Sequence, residues 1–470
     1  MTARYGSSCD TSDPASALSA IVVGAGLSGL TAAYRLQQRG WRVTVLESDA
    51  VAGGRVRSMC AGGYLFDLGA TSVGAGYDDY LQLASELGVT MVASPPCLGI
   101  VRDGVVHLMR IDRLARSGVH TRLLSWTAKL RAGRLAFDIA HAKLRGRLSY
   151  ADLGKAAYID TETVDEYARR ALHPELAEYV CAPLTRTMII VNPDRASKVE
   201  LFSGMVNGVG AGWQTPAGGA AAIIATLDAT LDVRLRHCVG LVSEISDGVE
   251  VTYTGPDGRS SSLKADACVL ACPLPAALEI CPERTQLLAP LHAALPYTRT
   301  ICVTIGTTRQ PECPAFLVML PPSESPEIAL LFQDHRKDPA RAPAGHGLFT
   351  LYFEFSAADE RFAATDPELV QIALQTLYRL WPELCDTVDF THVHRWALAL
   401  PHTQVGTYRR IAEFTDAIDP ADRIQFSADY MSATGQNTAV AVGGRAAQNL
   451  HRHHARSGDS PRTMSTKTRE

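Results

Sequence analysis

The sequence lacks the patterns that mark membrane-spanning, disulfide-rich and nucleic-acid-binding proteins. None of its 470 residues belongs to an apolar stretch of eighteen residues, so no segment has the composition of a transmembrane helix. Eleven cysteines form no CxxC pair and no metal-ligand spacing, which predicts reduced thiols and no metal site. A formal charge of −4 gives no general attraction to nucleic acid. A cytoplasmic protein is the expectation.

Both ends of the chain are polar. Residues 1–18 have no apolar core of signal-peptide length, and we expect a disordered leader there. Residues 451–470 are expected to form a disordered tail, in which His451, His453 and His454 belong to a fluctuating segment rather than a metal site. Between the ends, 46% hydrophobic and 20% charged residues are globular proportions, and the length predicts two lobes.

A dinucleotide-binding pattern follows the leader directly. Ser19–Val23 is predicted as a buried strand, Leu27–Arg39 as a helix and Arg42–Leu46 as a second strand. Between strand and helix stands Gly24-Ala-Gly26-Leu-Ser-Gly29, whose glycines allow a tight turn, close approach of a phosphate and close helix packing. The helix N-terminus attracts the anion. Glu47, at the end of the second strand, can accept hydrogen bonds from a ribose and disfavours NADP. These residues leave NAD and FAD both open.

The continuation of the chain carries a family resemblance. Gly53-Gly54-Arg55 follows Glu47, and Gly63-Tyr-Leu-Phe-Asp67-Leu-Gly69-Ala70-Thr71-Ser72 comes next. In these motifs the sequence resembles the flavoprotein superfamily of monoamine and polyamine oxidases, protoporphyrinogen oxidase and phytoene desaturases. The resemblance implies FAD as cofactor, with the Gly-Gly-Arg turn over the diphosphate and flavin.

Further matches extend the resemblance over roughly residues 21–450. They are Pro216-Ala-Gly-Gly219, Val239 where a strand pairs its backbone with adenine, Ala265–Pro273, Arg395-Trp396 with Leu400-Pro401 and Gly406, and Phe426–Asp429 followed by Thr438–Ala447. The segment around Trp396 is similar to the protoporphyrinogen-oxidase branch. Asp429 is implied as a partner of the ribityl chain, and a helix from Ala439 as a dipole aimed at the flavin. The sequence departs from the family pattern at Ala428, Thr438 and Val442.

The resemblance implies an α/β fold class, with a Rossmann-type FAD-binding domain and an interleaved α+β substrate-binding domain of mixed sheet and helices. Segments 19–75, 215–275 and 405–450 are assigned to the FAD-binding domain, and 76–214 and 276–404 to the substrate-binding domain. The residues expected to bind FAD are Gly24, Gly26, Leu27, Ser28, Gly29, Glu47, Ser48, Gly53, Gly54, Arg55, Gly69, Ala70, Thr71, Val239, Asp429 and Ala439.

FAD supplies hydride-accepting chemistry, so the sequence demands no acid–base triad and no catalytic residue is assigned. Amine oxidases commonly place a lysine on a substrate-lobe strand, whereas the comparable strand here, Thr298–Ile305, has Arg299 and Thr300. This difference favours oxidation or desaturation of a carbon centre in an apolar or amphipathic small molecule, with oxygen or another acceptor taking up the electrons. An amine oxidase, a redox-neutral isomerase or cyclase, and a redox-silent flavin-binding protein remain as alternatives.

Three side chains adjacent to matched segments, Tyr430, His402 and Arg186, are either substrate contacts or packing residues, and packing is the simpler interpretation.

One stretch is strongly basic. From Arg110 to Arg147 the chain has ten Lys or Arg and two Asp, interleaved with apolar residues that could line one helix face, including Leu123, Leu124, Trp126, Leu130, Leu135 and Phe137. Two interpretations stand: a solvated helix with a packed apolar side, or a peripheral contact with an anionic membrane of the kind that related enzymes make. Oligomeric state is open.

Overall fold

The structure, a computed structural model, describes residues 17–149, 152–208, 212–432 and 434–454. The strands in this part of the chain are β1 (Ser19–Val23), β2 (Arg42–Leu46), β3 (Ser58–Ala61), β4 (Tyr64–Asp67), β5 (Val73–Gly74), β6 (Met91–Ala93), β7 (Cys97–Arg102), β8 (Val105–Arg110), β9 (Trp213–Pro216), β10 (Asp232–Arg234), β11 (Cys238–Ile245), β12 (Gly248–Thr254), β13 (Ser260–Ala265), β14 (Ala267–Leu270), β15 (Thr300–Thr307), β16 (Leu317–Met319), β17 (Ile328–Gln333), β18 (Gly347–Phe353), β19 (Val388–Trp396) and β20 (Ile424–Phe426).

The helices of the same residues are α1 (Leu27–Gln37), α2 (Asp78–Glu86), α3 (Leu114–His120), α4 (Trp126–Leu144), α5 (Val164–Ala171), α6 (Pro174–Leu176), α7 (Ala182–Ile189), α8 (Lys198–Gly208), α9 (Ala222–Asp228), α10 (Leu274–Ile280), α11 (Thr285–Ala294), α12 (Asp334–Lys337), α13 (Phe355–Glu360), α14 (Asp366–Leu380), α15 (Thr407–Ala417) and α16 (Gln436–His454). Short 3₁₀ turns and one π-helical turn, Ala177–Cys181, connect them.

A five-stranded parallel sheet forms the first half of the molecule, in the order β10-β2-β1-β14-β20. Its central strand β1 pairs with β2 on one side and β14 on the other, and Ile21, Val22 and Val23 are buried. Continuous apolar strands of this kind suit a parallel sheet that is covered on both faces. The three-stranded antiparallel sheet β11-β12-β13 accompanies it, and Asp257-Gly258, a typical hairpin-turn dipeptide, lies in the β12–β13 turn.

A seven-stranded mixed sheet forms the second half, in the order β19-β15-β18-β17-β16-β7-β8. β15 is buried along its whole length and pairs antiparallel with β18 and β19, whereas β16 and β7 run parallel. The fold class is therefore confirmed: a Rossmann-type domain is combined with a mixed-sheet domain whose strands lie between its segments in the chain. The exact domain limits stay a prediction.

The ends of the described chain differ from the prediction. Leu18 packs against the core and its carbonyl accepts a hydrogen bond from Arg42 N at 2.8 Å, so the leader does not extend to residue 18. The last helix continues to His454, four residues into the segment expected to be a disordered tail, and His451 Nδ1 lies 3.3 Å from Trp41 Nε1. Assigning 451–454 to a disordered tail was wrong, because an aromatic partner holds this turn. Residues 1–16 and 455–470 lie outside the described residues.

Several interior boundaries also differ. The sequence from Asp160 to Leu184 has a helical pattern, but this region divides into α5, α6, a π-helical turn and α7. It divides because Pro174 begins a new helix after Leu172 leaves the helical conformation. The sequence after Gly219 predicts a second helix over Ala220–Leu231, whereas the observed helix α9 is shorter at both ends. Within the described residues no helix combines the length and apolarity needed to cross a bilayer.

Candidate active site

A cavity of about 730 Å³ lies between the parallel sheet and the mixed sheet. Its first part, here the cofactor half, is lined by the loop after β1, the end of β2, the Gly53–Arg57 turn and the start of α16. Its second part, the substrate half, is lined by residues of α7, β15–β18 and the Trp396–Leu400 segment. The carboxyl ends of parallel strands are where α/β sheets bind their ligands.

The glycines of the first loop have separable roles. Gly24 has a φ of +105°, and a Cβ there would lie 2.8 Å from Ala271 O. A Cβ on Gly29 would lie 2.1 Å from Gly24 O, so helix α1 packs directly against the loop at this position. No heavy atom lies within 4 Å of the Cβ position of Gly26, which lines the cavity. The space beside Gly26 is therefore kept for a ligand rather than for protein packing.

Glu47 turns its carboxylate into this loop. Its Oε2 accepts a hydrogen bond from Ala25 N at 2.7 Å, and its Oε1 accepts one from Asp49 N at 2.9 Å. One backbone amide of the loop after β1 and one of the segment after β2 thereby fix the two oxygens, whose remaining lone pairs can accept hydroxyl protons. This geometry suits a ribose.

The Gly53-Gly54-Arg55 turn lies against the first loop. Gly53 N donates to Ala25 O at 2.8 Å, and both glycines adopt positive φ, +115° and +56°. Arg55 Nη1 lies 2.5 Å from Asp429 Oδ2 and donates to Ala399 O at 2.9 Å. Burial opposes the charged guanidinium, but Asp429 raises the pKa of Arg55. Tyr297 OH also donates to Asp429 at 2.8 Å, a partner that no sequence signal indicated.

Helix α16 begins at Gln436, three residues before the predicted start at Ala439. Ala439 lines the cavity, but its N–H already donates to Gly435 O at 3.1 Å, so the first-turn amides that point out of the helix belong to Gln436, Asn437 and Thr438. The helix dipole therefore acts from Gln436 rather than from Ala439. Of the three departures from the family pattern, Ala428 lines the cavity, whereas Thr438 and Val442 are buried within the protein.

These features fit FAD. Closely approaching glycine backbones, a helix N-terminus, a fixed carboxylate and the Arg55–Asp429 pair line one cavity, and together they supply the kinds of contact that a dinucleotide bearing a flavin requires. Residues 27–451 match the family of flavin-containing amine oxidoreductases. The chain belongs to that family. Its cofactor is FAD.

Curated members of the family give matches of different extent. Protoporphyrinogen oxidase 2 of Arabidopsis thaliana is 30% identical over 190 residues, 40% of this chain and 35% of that protein. The phytoene desaturase (neurosporene-forming) of Cereibacter sphaeroides is 54% identical over 54 residues, 12% of this chain and 10% of that protein. Coproporphyrinogen III oxidase of Mycobacterium tuberculosis is 25% identical over 443 residues, 90% of this chain and 95% of that protein. The alignment thus spans only a minor part of the first two relatives.

Solved structures share the fold. Cyclohexylamine oxidase from Brevibacterium oxydans superposes with a TM-score of 0.74 at 20% identity, covering 93% of this chain and 99% of that one. A putrescine oxidase variant superposes with a TM-score of 0.76 at 18% identity, covering 93% and 99%. At these identities the likeness establishes the fold of this flavoprotein family and not the substrate.

Fifteen of the sixteen predicted FAD-binding residues line the cavity. The exception is Gly29, which lies in the first turn of α1 at its contact with the loop. Ser28 lines the cavity, but its hydroxyl donates to Ser427 O at 2.7 Å, so the backbone rather than the hydroxyl faces the cofactor. Val239 lines it together with His237 and Cys238, which the sequence prediction missed.

The three additional candidates are packing residues. Tyr430 is fully buried against Phe414, and Arg186 donates to the carbonyls of Leu320, Ser325 and Pro326. His402 Nε2 lies 2.8 Å from Arg195 O. None of the three lines the cavity.

The substrate half is mostly apolar, and sequence reasoning identified little of it. Its lining residues are Thr187, Met188, Ile190, Trp213, Thr300, Phe316, Leu317, Leu330, Phe332, Tyr352 and 396–400. Its polar side chains are largely turned to the backbone: Thr300 Oγ1 donates to Phe353 O at 3.0 Å, and Tyr352 OH to Gly69 O at 2.9 Å. Arg299 pairs instead with Asp359 at the surface. Strand segments distant in sequence build this wall, so no local motif marks it.

Proposed function

We propose that the protein removes a hydride from a carbon centre of an apolar or amphipathic small molecule, as an oxidation or a desaturation. One observation carries this proposal: the charged side chains that line the cavity all belong to the cofactor half, and they are Glu47, Asp49, Arg55, Arg57 and Asp429. Arg57 pairs with Asp49 and Arg55 with Asp429, so both arginines are already matched. A neutral substrate needs no charged partner in the substrate half.

The lining of the substrate half also argues against a substrate that binds as an ammonium ion. β15 presents Thr300 to the cavity, and the described lining of the substrate half has no carboxylate to pair with a cation. The contribution of the chain is to bind the substrate by apolar contact, to aim one C–H bond at the cofactor and to exclude water. The names of the porphyrinogen-oxidising and phytoene-desaturating relatives support carbon-centred chemistry.

The test is anaerobic bleaching of the bound flavin by matched compounds. Neutral polyenes, porphyrinogens and alicyclic compounds are compared with primary amines on the same carbon skeletons, and each product is weighed by mass spectrometry. Bleaching by the carbon substrates with loss of two hydrogens supports the proposal. Bleaching by amines alone overturns it in favour of an amine oxidase. A product of unchanged mass indicates an isomerase, and flavin that no compound reduces indicates a silent site.

We also propose that the protein is a peripheral protein of the cytoplasm that contacts an anionic membrane through α4. Trp126, Leu130, Phe137 and Leu144 are 64–89% exposed and, at about 100° per residue, fall within about 40° of one another. Lys129 and Arg134 flank this outer face of α4. The opposite face is packed, since Ala128, Leu135 and Ala142 are buried. The sequence indicated only that several apolar residues of this segment could line one helix face. In the structure Leu135 lies on the buried face of α4, opposite Trp126, and Leu123 and Leu124 precede the helix.

The position of α4 suits the delivery of an apolar substrate. Its buried face packs in a cluster with Met188, and Met188 lines the substrate half of the cavity. Basic residues beside an apolar helix face favour anionic lipid surfaces.

Cosedimentation with vesicles tests this contact. A Trp126→Ser/Leu130→Ser/Phe137→Ser variant should bind vesicles containing anionic phosphatidylglycerol at least about tenfold more weakly than the unaltered protein. A Val105→Ser/Leu108→Ser variant, altered at exposed apolar residues of β8, is the matched control and should bind normally. Equal binding by all three proteins would contradict the membrane contact.

A further inference from the structure

Lys337 is a buried lysine that the proposed reaction does not use. It ends α12, its side chain is 0% exposed, and it forms an ion pair with Asp334. Its ammonium group also donates to Thr71 Oγ1 and lies 4.2 Å from the centroid of the Phe332 ring. Burial lowers the pKa of Lys337, whereas Asp334 opposes that shift. A buried ion pair costs several kcal/mol of desolvation per ion, so an apolar residue would serve a purely packing role as well.

The surroundings of Lys337 form a closed network of matched charges. Asp334 also accepts a hydrogen bond from Thr350 Oγ1 at 2.6 Å. Thr71 Oγ1 donates to Asp67 at 2.7 Å, and Arg341 Nη1 donates to the same carboxylate at 2.8 Å. Burial alone would raise the pKa of Asp67, but Arg341 and Lys337 hold it below its usual range. The negative charges of Asp67 and Asp334 are therefore matched by the positive charges of Lys337 and Arg341 in a region buried from water.

The two groups that Lys337 holds line opposite parts of the same cavity. Thr71 belongs to the Gly69–Thr71 segment of the cofactor half, and Phe332 belongs to β17 in the substrate half. The hydroxyl of Thr71 donates to Asp67 and accepts from Lys337, so its methyl group is what remains to face the cavity. Trp396 Nε1 donates to Leu68 O at 2.7 Å and Tyr352 OH to Gly69 O, so further substrate-half side chains hold this same segment.

We propose that Lys337 is a positioning residue that sets the spacing between the two walls of the reaction cavity, by holding Thr71 and Phe332 on one buried ammonium group. The inference rests on the proposed function only in taking this cavity as the place of reaction. An ammonium with three donors can satisfy a carboxylate and a hydroxyl and still face an aromatic ring, which a neutral side chain cannot do.

The test measures access to the bound flavin and needs no turnover, so it stands apart from the choice of substrate. Iodide quenching of flavin fluorescence and the resolution of the visible flavin absorption bands are compared in FAD-loaded proteins. Lys337→Met should raise the iodide quenching constant by about twofold or more and blur the absorption bands. A twofold change corresponds to the lower end of the coupling free energies between residues of one network. Lys337→Arg should restore part of both signals.

Two further variants keep the test decisive if Lys337→Met leaves Asp334 unpaired and fails to fold. Asp334→Asn/Lys337→Met removes both charges, and Thr71→Val removes the hydroxyl that accepts from Lys337 while it keeps the methyl group. Both should show the same rise in quenching.

Lys198→Met is the matched control, since Lys198 pairs with Glu162 at 2.7 Å and lies 5.9 Å from the Tyr167 ring away from the cavity. It should lose stability at most, with unchanged quenching. Wild-type quenching and absorption bands in a folded, FAD-loaded Asp334→Asn/Lys337→Met or Thr71→Val protein would overturn the proposal.

Discussion

Substitution of Gly26 by alanine should weaken FAD binding without lowering the stability of the apoprotein. The backbone of Gly26, with φ of −71° and ψ of 170°, is open to any residue, and no protein atom lies within 4 Å of an added Cβ. Gly26→Ala should therefore leave the apoprotein as stable as before, or stabilise it by about 0.4–1 kcal/mol through loss of unfolded-state entropy. The added methyl group points into the space that Gly26 leaves beside the cavity.

The cost should appear in FAD binding alone. A methyl group at Gly26 keeps the diphosphate away from the loop amides and the α1 N-terminus, where a hydrogen bond to a charged group contributes about 1.5–3 kcal/mol. Loss of one such bond weakens FAD binding by about tenfold to a hundredfold. Equilibrium dialysis of apoprotein with FAD measures the affinity, and chemical unfolding of apoprotein measures the stability.

Two matched variants complete the comparison. In Gly29→Ala the new Cβ would lie 2.1 Å from Gly24 O, so both apoprotein stability and FAD affinity should fall. In Gly133→Ala, within α4 and with open space around its Cβ, neither should fall. Unchanged FAD affinity in Gly26→Ala would refute the assignment of this loop to the diphosphate, and lowered apoprotein stability would refute the separation of roles.

Three other substitutions test neighbouring features. Glu47→Gln keeps one acceptor oxygen where the loop and a ribose need two, so FAD affinity should fall by about tenfold without loss of the fold, as dialysis would reveal. Gly443→Ala would place a Cβ 2.5 Å from Ser28 O and push α16 away from α1, lowering the unfolding free energy by about 1–3 kcal/mol; an unchanged urea midpoint would count against that contact. Burial lowers the pKa of the His335 imidazole to about 4, so as the pH falls the unfolded chain binds a proton at this side chain before the folded protein does. Between about pH 6.5 and about pH 4, the unfolding free energy of the wild type should therefore fall by up to about 3 kcal/mol more than that of His335→Phe. Parallel unfolding curves for the two proteins across that range would show that His335 is not the titrating group.

The sequence alone determined the cofactor half of the molecule. Steric and backbone requirements act over a few residues there: Gly24, Gly29 and Gly53 occupy positions where a Cβ would lie less than 3 Å from backbone atoms, and Glu47 ends the strand that leads back to them. Constraints that act over only a few residues leave a recognisable pattern in the sequence. The family resemblance extended that pattern to Asp429 at the far end of the chain. The start of α16 was misplaced by three residues because helix ends depend on caps that residue spacing does not show.

Only the tertiary structure decided what faces the cofactor. The substrate half of the cavity is lined by one or two residues from each of several strands. Because β15 is buried along its whole length, the sequence of β15 does not reveal which of its residues reach the cavity. Thr300, the first residue of β15, reaches the cavity, whereas Arg299 precedes the strand and pairs with Asp359 at the surface. Lys337 and Asp67 are separated by 270 positions in the chain, and only the docking of the two domains brings their network together behind the cavity. Glycine turns follow from local sterics, whereas a substrate wall follows from long-range packing.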